Sequence, residues 1–179
     1  MQDHSGAGDV LVAGLGNTLL GDDGFGPAVI RWLLAHWAFP AGVTVEDLGT
    51  PGLGISTWLA GRRAVVLVDC VALDAPPGSV HRLEGAALQA PGPRTGPHEV
   101  DLRAALDALA LAGEAPSHLA VIGTVPVSTG TGEALSGPVR EAIPRAGKMV
   151  VEELVALGIR PRRLDPPLPF SADWTGERP

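Results

Sequence analysis

The sequence predicts a single α/β domain, a mostly parallel sheet of about five strands with helices on both faces. Three observations lead there. Short apolar runs recur at 10–15, 64–71 and 119–125, the pattern of strands buried on both faces. Between them lie apolar stripes at helical spacing, such as Ile30, Leu33, Leu34 and Trp37, or Leu102, Ala105, Leu106 and Leu109. Strand and helix signals also alternate along the chain, which builds a parallel sheet rather than a sandwich or a bundle. With 179 residues, 45% of them hydrophobic, the chain can bury a substantial core.

Taken in order, "VLVAGL" (10–15) reads as the first strand, ended by a glycine-rich turn. A helix follows along the stripe from Ile30 to Trp37, with Pro27 near its start, where a missing N–H costs little. "VTVEDL" (43–48) is a second strand, "GTPG" (49–52) a turn, and 55–59 a short helix. "AVVLVDCV" (64–71) is the most hydrophobic strand and is expected at the centre of the sheet. "SVHRLEG" (79–85) alternates polar and apolar residues, as an edge strand does. Prolines and glycines mark 88–100 as a loop, and Gly113 stops the helix after it. "LAVIGTV" (119–125) is the fifth strand, and 128–138 is a second loop. Ser136 is the expected N-cap and Pro138 a first-turn residue of a last helix, whose buried face runs from Val139 to Leu157. Pro144 and Gly147 interrupt that face and predict a kink. The domain is expected to span 10–158, with 159–179 a Pro-rich tail, extended or disordered.

Bulk properties narrow the function. A net charge of −7 argues against nucleic-acid partners. No run approaches the ~20 apolar residues of a membrane helix, and the first residues lack the basic patch and apolar stretch of a signal peptide. A single cysteine, Cys70, excludes an internal disulfide framework. Together these features fit the cytoplasm.

In a parallel sheet, ligands bind beyond the carboxyl ends of the strands. That edge gathers Asp22 and Asp23 after strand one, Thr50 after strand two and Asp69 at the end of strand three, with His98 in a loop able to fold over it. The stretch "GNTLLGDDGFG" (16–26) has the glycines of a nucleotide-binding turn, but it fits neither nucleotide motif. Leu19 stands where a dinucleotide fingerprint needs its third glycine, although Glu46 or Asp47 could mimic the ribose-binding acid; Asp22 stands where a P-loop needs lysine. Carboxylates there suit a cation instead. Asp23, Asp69 and His98 supply two oxygens and an imidazole, a set compatible with zinc, nickel, cobalt or iron that leaves coordination positions open. Each residue also has a plainer reading: Asp23 as a helix N-cap, His98 as a surface loop residue. Asp69 is harder to read as structural, because a carboxylate ending a buried strand needs a partner. A Cys70–His98 nucleophile and base is disfavoured, since Cys70 points to the opposite face from Asp69 and packs as a small hydrophobe.

The blocks "GLGNTLLGDDGFGP" (14–27), "DLGTPG" (47–52), "VVLVDC" (65–70), "PHEVDL" (97–102) and "IGTVP" (122–126), with "LSGPVREAI" (135–143) more loosely, carry a resemblance. In this order and spacing the chain resembles the hydrogenase maturation proteases, endopeptidases that process the large subunit of [NiFe] hydrogenases. The resemblance implies an α/β sheet covered on both faces. It also implies a nickel site formed by an acid of the first block, the acid of "VVLVDC" and the histidine of "PHEVDL", which are Asp23, Asp69 and His98. These would be the catalytic and metal-engaging residues, with nickel supplied by the substrate and no nucleotide. The implied partner is a hydrogenase large-subunit precursor, which loses a C-terminal extension just after its last metal-binding motif. Gly49, Thr50 and Gly52 are expected to shape the substrate-binding backbone. Asp23 stands where many members have Glu, Cys70 where Ala is frequent, and Glu99 adds a further possible ligand. A nucleotide- or metal-binding α/β module without proteolytic chemistry is the competing reading.

Overall fold

A computed structural model describes residues 10–85 and 97–172, with backbone only for 97–100. Five strands form one sheet: β1 (Val10–Leu15), β3 (Val43–Gly49), β4 (Ala64–Cys70), β5 (Val80–Glu84) and β6 (His118–Thr124). Their order is β3-β1-β4-β6-β5, with β4 at the centre, as its composition predicts. The β1–β3, β1–β4 and β4–β6 pairs are parallel, and only the edge strand β5 runs antiparallel to its neighbour. The alternating sequence of β5 fits that edge. The expectation of a five-stranded, mostly parallel sheet is met.

Helices α1 (Phe25–His36) and α4 (Gly137–Ala156) cover one face; α2 (Ile55–Leu59) and α3 (Pro97–Ala112) cover the other. Strand alternation divides the core between them. Val10, Val12, Ala64, Val66 and Val68 pack with Phe25, Leu33, Ile143 and Val150, whereas Leu11, Ala13, Val65 and Leu67 pack with Ile55, Leu59, Ala105 and Leu109.

Some elements depart from expectation. Trp37 does not extend the α1 stripe; it begins a two-residue strand, β2 (Trp37–Ala38), and Leu34 is exposed. The segment around Pro97 is helix rather than loop, because proline is well accommodated in a first turn; the expected loop at 88–96 lies outside the described residues. Helix α4 continues through Pro144 to Ala156, and Gly147 marks the place where the ring of Trp32 packs against it. The described residues after Gly158, 159–172, are docked: β7 (Arg162–Arg163) pairs antiparallel with β2. Leu164 and Leu168 donate to the carbonyls of His36 and Ala35 (both 2.8 Å), so the terminal carbonyls of α1 are satisfied by this segment. No helix among the described residues is long and apolar enough to cross a membrane.

Strand order fixes where a site can form. From β1 the chain crosses to β3 on one side, then returns to place β4 on the other. The switch point therefore lies between the carboxyl ends of β1 and β4.

Candidate active site

Two glycines let α1 start close to the sheet. A Cβ on Gly14 would stand 2.6 Å from the Gly26 carbonyl oxygen, and one on Gly26 would stand 2.5 Å from that of Val68. Such distances admit only hydrogen at both positions. The approach sets the 3-10 turn Gly21–Gly24, and with it Asp22 and Asp23, at the ends of β1 and β4.

The backbone of the glycine-rich loop is engaged internally. Gly16 N–H donates to Gly49 O (2.9 Å), Asn17 N–H to Asp23 Oδ2 (2.7 Å) and Leu19 N–H to Asn17 Oδ1 (3.0 Å). Leu20 N–H donates to Asn17 O, Asp22 N–H to Ser128 O and Asp23 N–H to Leu20 O. A phosphate-binding turn aims such donors at its guest; here they bind the protein itself.

The two adjacent carboxylates differ. Asp23 is 6% exposed and does not cap α1: the N-cap is Gly24, with no side-chain cap bond. Its carboxylate instead closes the β1–α1 loop through Asn17. Asp22 is fully buried. Its Oδ2 accepts from Val127 N–H (2.7 Å), Ser128 N–H (3.1 Å) and Ser136 Oγ (2.9 Å), and its Oδ1 accepts from Ser136 N–H (2.7 Å). The sequence placed both acids at the rim as groups facing a guest. For Asp22 the packing corrects this, because its carboxylate is surrounded by donors of the loop after β6.

Asp69, at the carboxyl end of β4, is half-buried, and its Oδ1 accepts from Cys70 N–H (2.7 Å). Alternation along β4 sends it to the face of Val65, Leu67 and Val71, which α2 and α3 cover. Cys70 packs on the opposite face with the α1 and α4 core, and its thiol donates to the Asp22 carbonyl (2.9 Å). Burial pushes that thiol well above its ordinary pKa, and the charges of Asp69, Asp23 and Asp22 push it further. A nucleophilic cysteine needs its pKa lowered, so the expectation that Cys70 is a packed small side chain agrees with its surroundings. That thiol bond ties the turn bearing Asp22 and Asp23 to the end of the strand that carries Asp69.

His98 lies in the first turn of α3, not in a loop, and it is on the face of the sheet to which Asp69 belongs. The side chains of His98 and Glu99 lie outside the described residues. Among those described, no group of three histidine, cysteine, aspartate or glutamate side chains is arranged to hold a metal ion. Gly49 and Gly52 both adopt positive φ (57° and 56°), which turns the chain after β3, with Thr50 exposed between them. A Cβ on Gly52 would lie 3.6 Å from Asp101 Oδ2, so the start of α3 adjoins this turn. The structure thus brings the β1, β3 and β4 ends and the first turns of α3 to one rim.

Sequence reasoning missed one polar cluster elsewhere. Glu153 of α4, 7% exposed, accepts from Arg82 Nε (2.6 Å) and Nη2 (2.9 Å) and pairs with His118 Nε2 (2.7 Å). His118 opens β6, at the end of that strand away from the rim.

A parallel sheet covered on both faces, with acids at its switch point, is the layout of an α/β enzyme working at its strand ends. The family model for hydrogenase maturation protease matches residues 27–153. The hydrogenase expression/formation protein HupD of Thiocapsa roseopersicina is 30% identical over 158 residues, 87% of this chain and 72% of that protein. The hydrogenase 2 maturation protease of Escherichia coli K12 is 29% identical over 152 residues, covering 84% of this chain and 93% of that one. The solved structure of the hydrogenase maturating endopeptidase HybD from E. coli superposes with a TM-score of 0.81 at 27% identity, over 88% of this chain and 99% of that chain. The chain belongs to the hydrogenase maturation protease family and is an endopeptidase of that kind. The reading as a binding module without proteolytic chemistry gives way to this.

Proposed function

We propose that this endopeptidase removes a C-terminal extension from a [NiFe] hydrogenase large-subunit precursor that already carries nickel. Asp23, Asp69 and His98 engage the nickel, which arrives as part of the substrate. The observation that carries this reading is the placement of Asp23 and Asp69 across the switch point, where the Cys70 thiol, next to Asp69, donates to the carbonyl of Asp22, next to Asp23 (2.9 Å). Carboxylates gathered at one rim favour a cation. His98 joins them from the first turn of α3, on the side of the sheet where Asp69 lies.

In this reading the two carboxylates and the imidazole grip the metal-bearing end of the precursor and bring the adjoining peptide bond to the rim. A cation held there by Asp23, Asp69 and His98 would supply Lewis-acid polarisation of a carbonyl or of a water molecule. Gly49, Thr50 and Gly52 form the bend beside this position, where exposed Thr50 can hydrogen-bond the substrate chain. Three protein ligands make a weaker site than a closed four-ligand cage, so the precursor's own ligands complete the grip. The test is to incubate the protein with nickel-loaded precursor and weigh the product. Loss of a single C-terminal peptide is expected, and an unchanged precursor mass would overturn the reading.

A further inference from the structure

We infer that Asp22 is a positioning residue for peptide-bond cleavage: it fastens the segment 127–136 to the rim and holds the neighbouring Asp23 in place. Its side chain accepts from Val127 N–H, Ser128 N–H, Ser136 N–H and Ser136 Oγ. Its backbone N–H donates to Ser128 O and its carbonyl accepts from Cys70 Sγ. One residue thereby joins the 3-10 turn that carries Asp23, the end of the strand that carries Asp69, the loop after β6 and the start of α4.

The chemistry of this joint requires a carboxylate. All four side-chain bonds are accepted, two of them from consecutive N–H groups, and a carboxamide would replace one acceptor oxygen with a donor. The joint also caps α4. Ser136 is the N-cap by position but makes no side-chain cap bond; its Oγ turns to Asp22 instead. Asp22 therefore sets an acidic group at the start of a 20-residue helix, where the helix dipole favours negative charge. Since these bonds occupy both carboxylate oxygens, Asp22 serves the reaction through the geometry of its neighbours.

This inference rests on the cleavage reading above only for its assay, because the joint can be tested without substrate. Asp22→Asn keeps the size of the side chain. Hydrogen exchange should become faster at the amides of Val127, Ser128 and Ser136, while the amides of β1 and β4 keep their protection. With a nickel-loaded large-subunit precursor, kcat per folded molecule should fall roughly tenfold or more with KM within about threefold, as misplaced reacting groups dictate. A role in stability alone would lower the folded fraction and leave kcat per folded molecule unchanged. That result, or unaltered exchange at the three amides, would overturn the inference. Should Asp22→Asn fail to fold, Ser136→Ala removes one of the four bonds. It should lower kcat by a few-fold and speed exchange at Val127 and Ser128; wild-type values for both would overturn the inference. Failure of the wild-type protein to cut the precursor would count against the proposed substrate, and the exchange measurements would still decide the role of Asp22.

Discussion

The two ends of β6 look onto two acidic clusters built on opposite principles. Away from the rim, Glu153 meets a cation: Arg82 donates two hydrogen bonds, and the His118 ring lies within hydrogen-bond distance at the strand start. Hydrogen bonds from Arg82 hold the Glu153 carboxyl below its ordinary value, against the opposing effect of burial. At the rim the field has the other sign. The charges of Asp69, Asp23 and Asp22 add to burial in keeping the Cys70 thiol protonated. Of these acids, Asp22 is answered by neutral donors of the backbone and a serine hydroxyl. One acid is met by a guanidinium of the chain, which it shares with Glu84, and the other by neutral donors that hold it in shape.

The largest effect that could break this contrast comes from the rim. Asp69→Asn or Asp23→Asn should lower cleavage by on the order of a hundredfold, the scale of losing a charged group at the reacting centre. The fold should persist, because these residues supply little of the apolar core. A gel assay of processing alongside circular dichroism checks both halves, and normal processing by Asp69→Asn would remove the strongest member of the site.

The mirror experiment is Glu153→Ala, which should leave cleavage per folded molecule unchanged and reduce stability. Removing one member of a buried ion pair costs about 3–5 kcal/mol. Arg82 is partly exposed here, so roughly 1–3 kcal/mol is the loss expected in urea unfolding at pH 7.

The same network sets a smaller, pH-dependent effect. The folded-state pKa of Glu153 lies below its ordinary 4.5, so its contribution is present above pH 4.5 and is lost as pH falls through the folded value. The stability gap between wild type and Glu153→Gln should therefore shrink between pH 5 and lower pH. A gap that widened on acidification would contradict the assignment.

The smallest effect is expected at Cys70. Cys70→Ala removes a partly buried thiol packed against the α1 and α4 core, so cleavage should be retained with a stability loss of ~1 kcal/mol or less. Abolished cleavage in a folded Cys70→Ala protein would make the thiol a participant and blur the division between the clusters.

The sheet was legible because its signals are local. The apolar runs of β1 and β4 and the alternation of β5 each lie within a few residues, and the switch point follows from their order. The opposite orientations of Asp69 and Cys70 were legible for the same reason, since period-two alternation needs only the strand assignment. The role of Asp22 was hidden because its partners lie 105 to 114 residues away and donate mainly through backbone N–H groups, whose sequence carries no signature. The Arg82–Glu153 pair spans 71 residues and was equally invisible. The helical start at Pro97 did leave a sign: a proline five residues before the first apolar position of the stripe is an ordinary helix opening. The docked tail left none, because prolines report an extended chain but not the surface it lies on.

The central claim, that the rim's acids grip a cation carried by the substrate, is tested most directly by cleavage of matched large-subunit precursors with and without nickel. The protease must first be freed of bound metal. The account predicts processing of the nickel-loaded precursor and little or none of the empty one, with the resting enzyme binding nickel only loosely. Equal cleavage of the two precursors would contradict it, as would tight stoichiometric nickel in the enzyme before it meets any substrate.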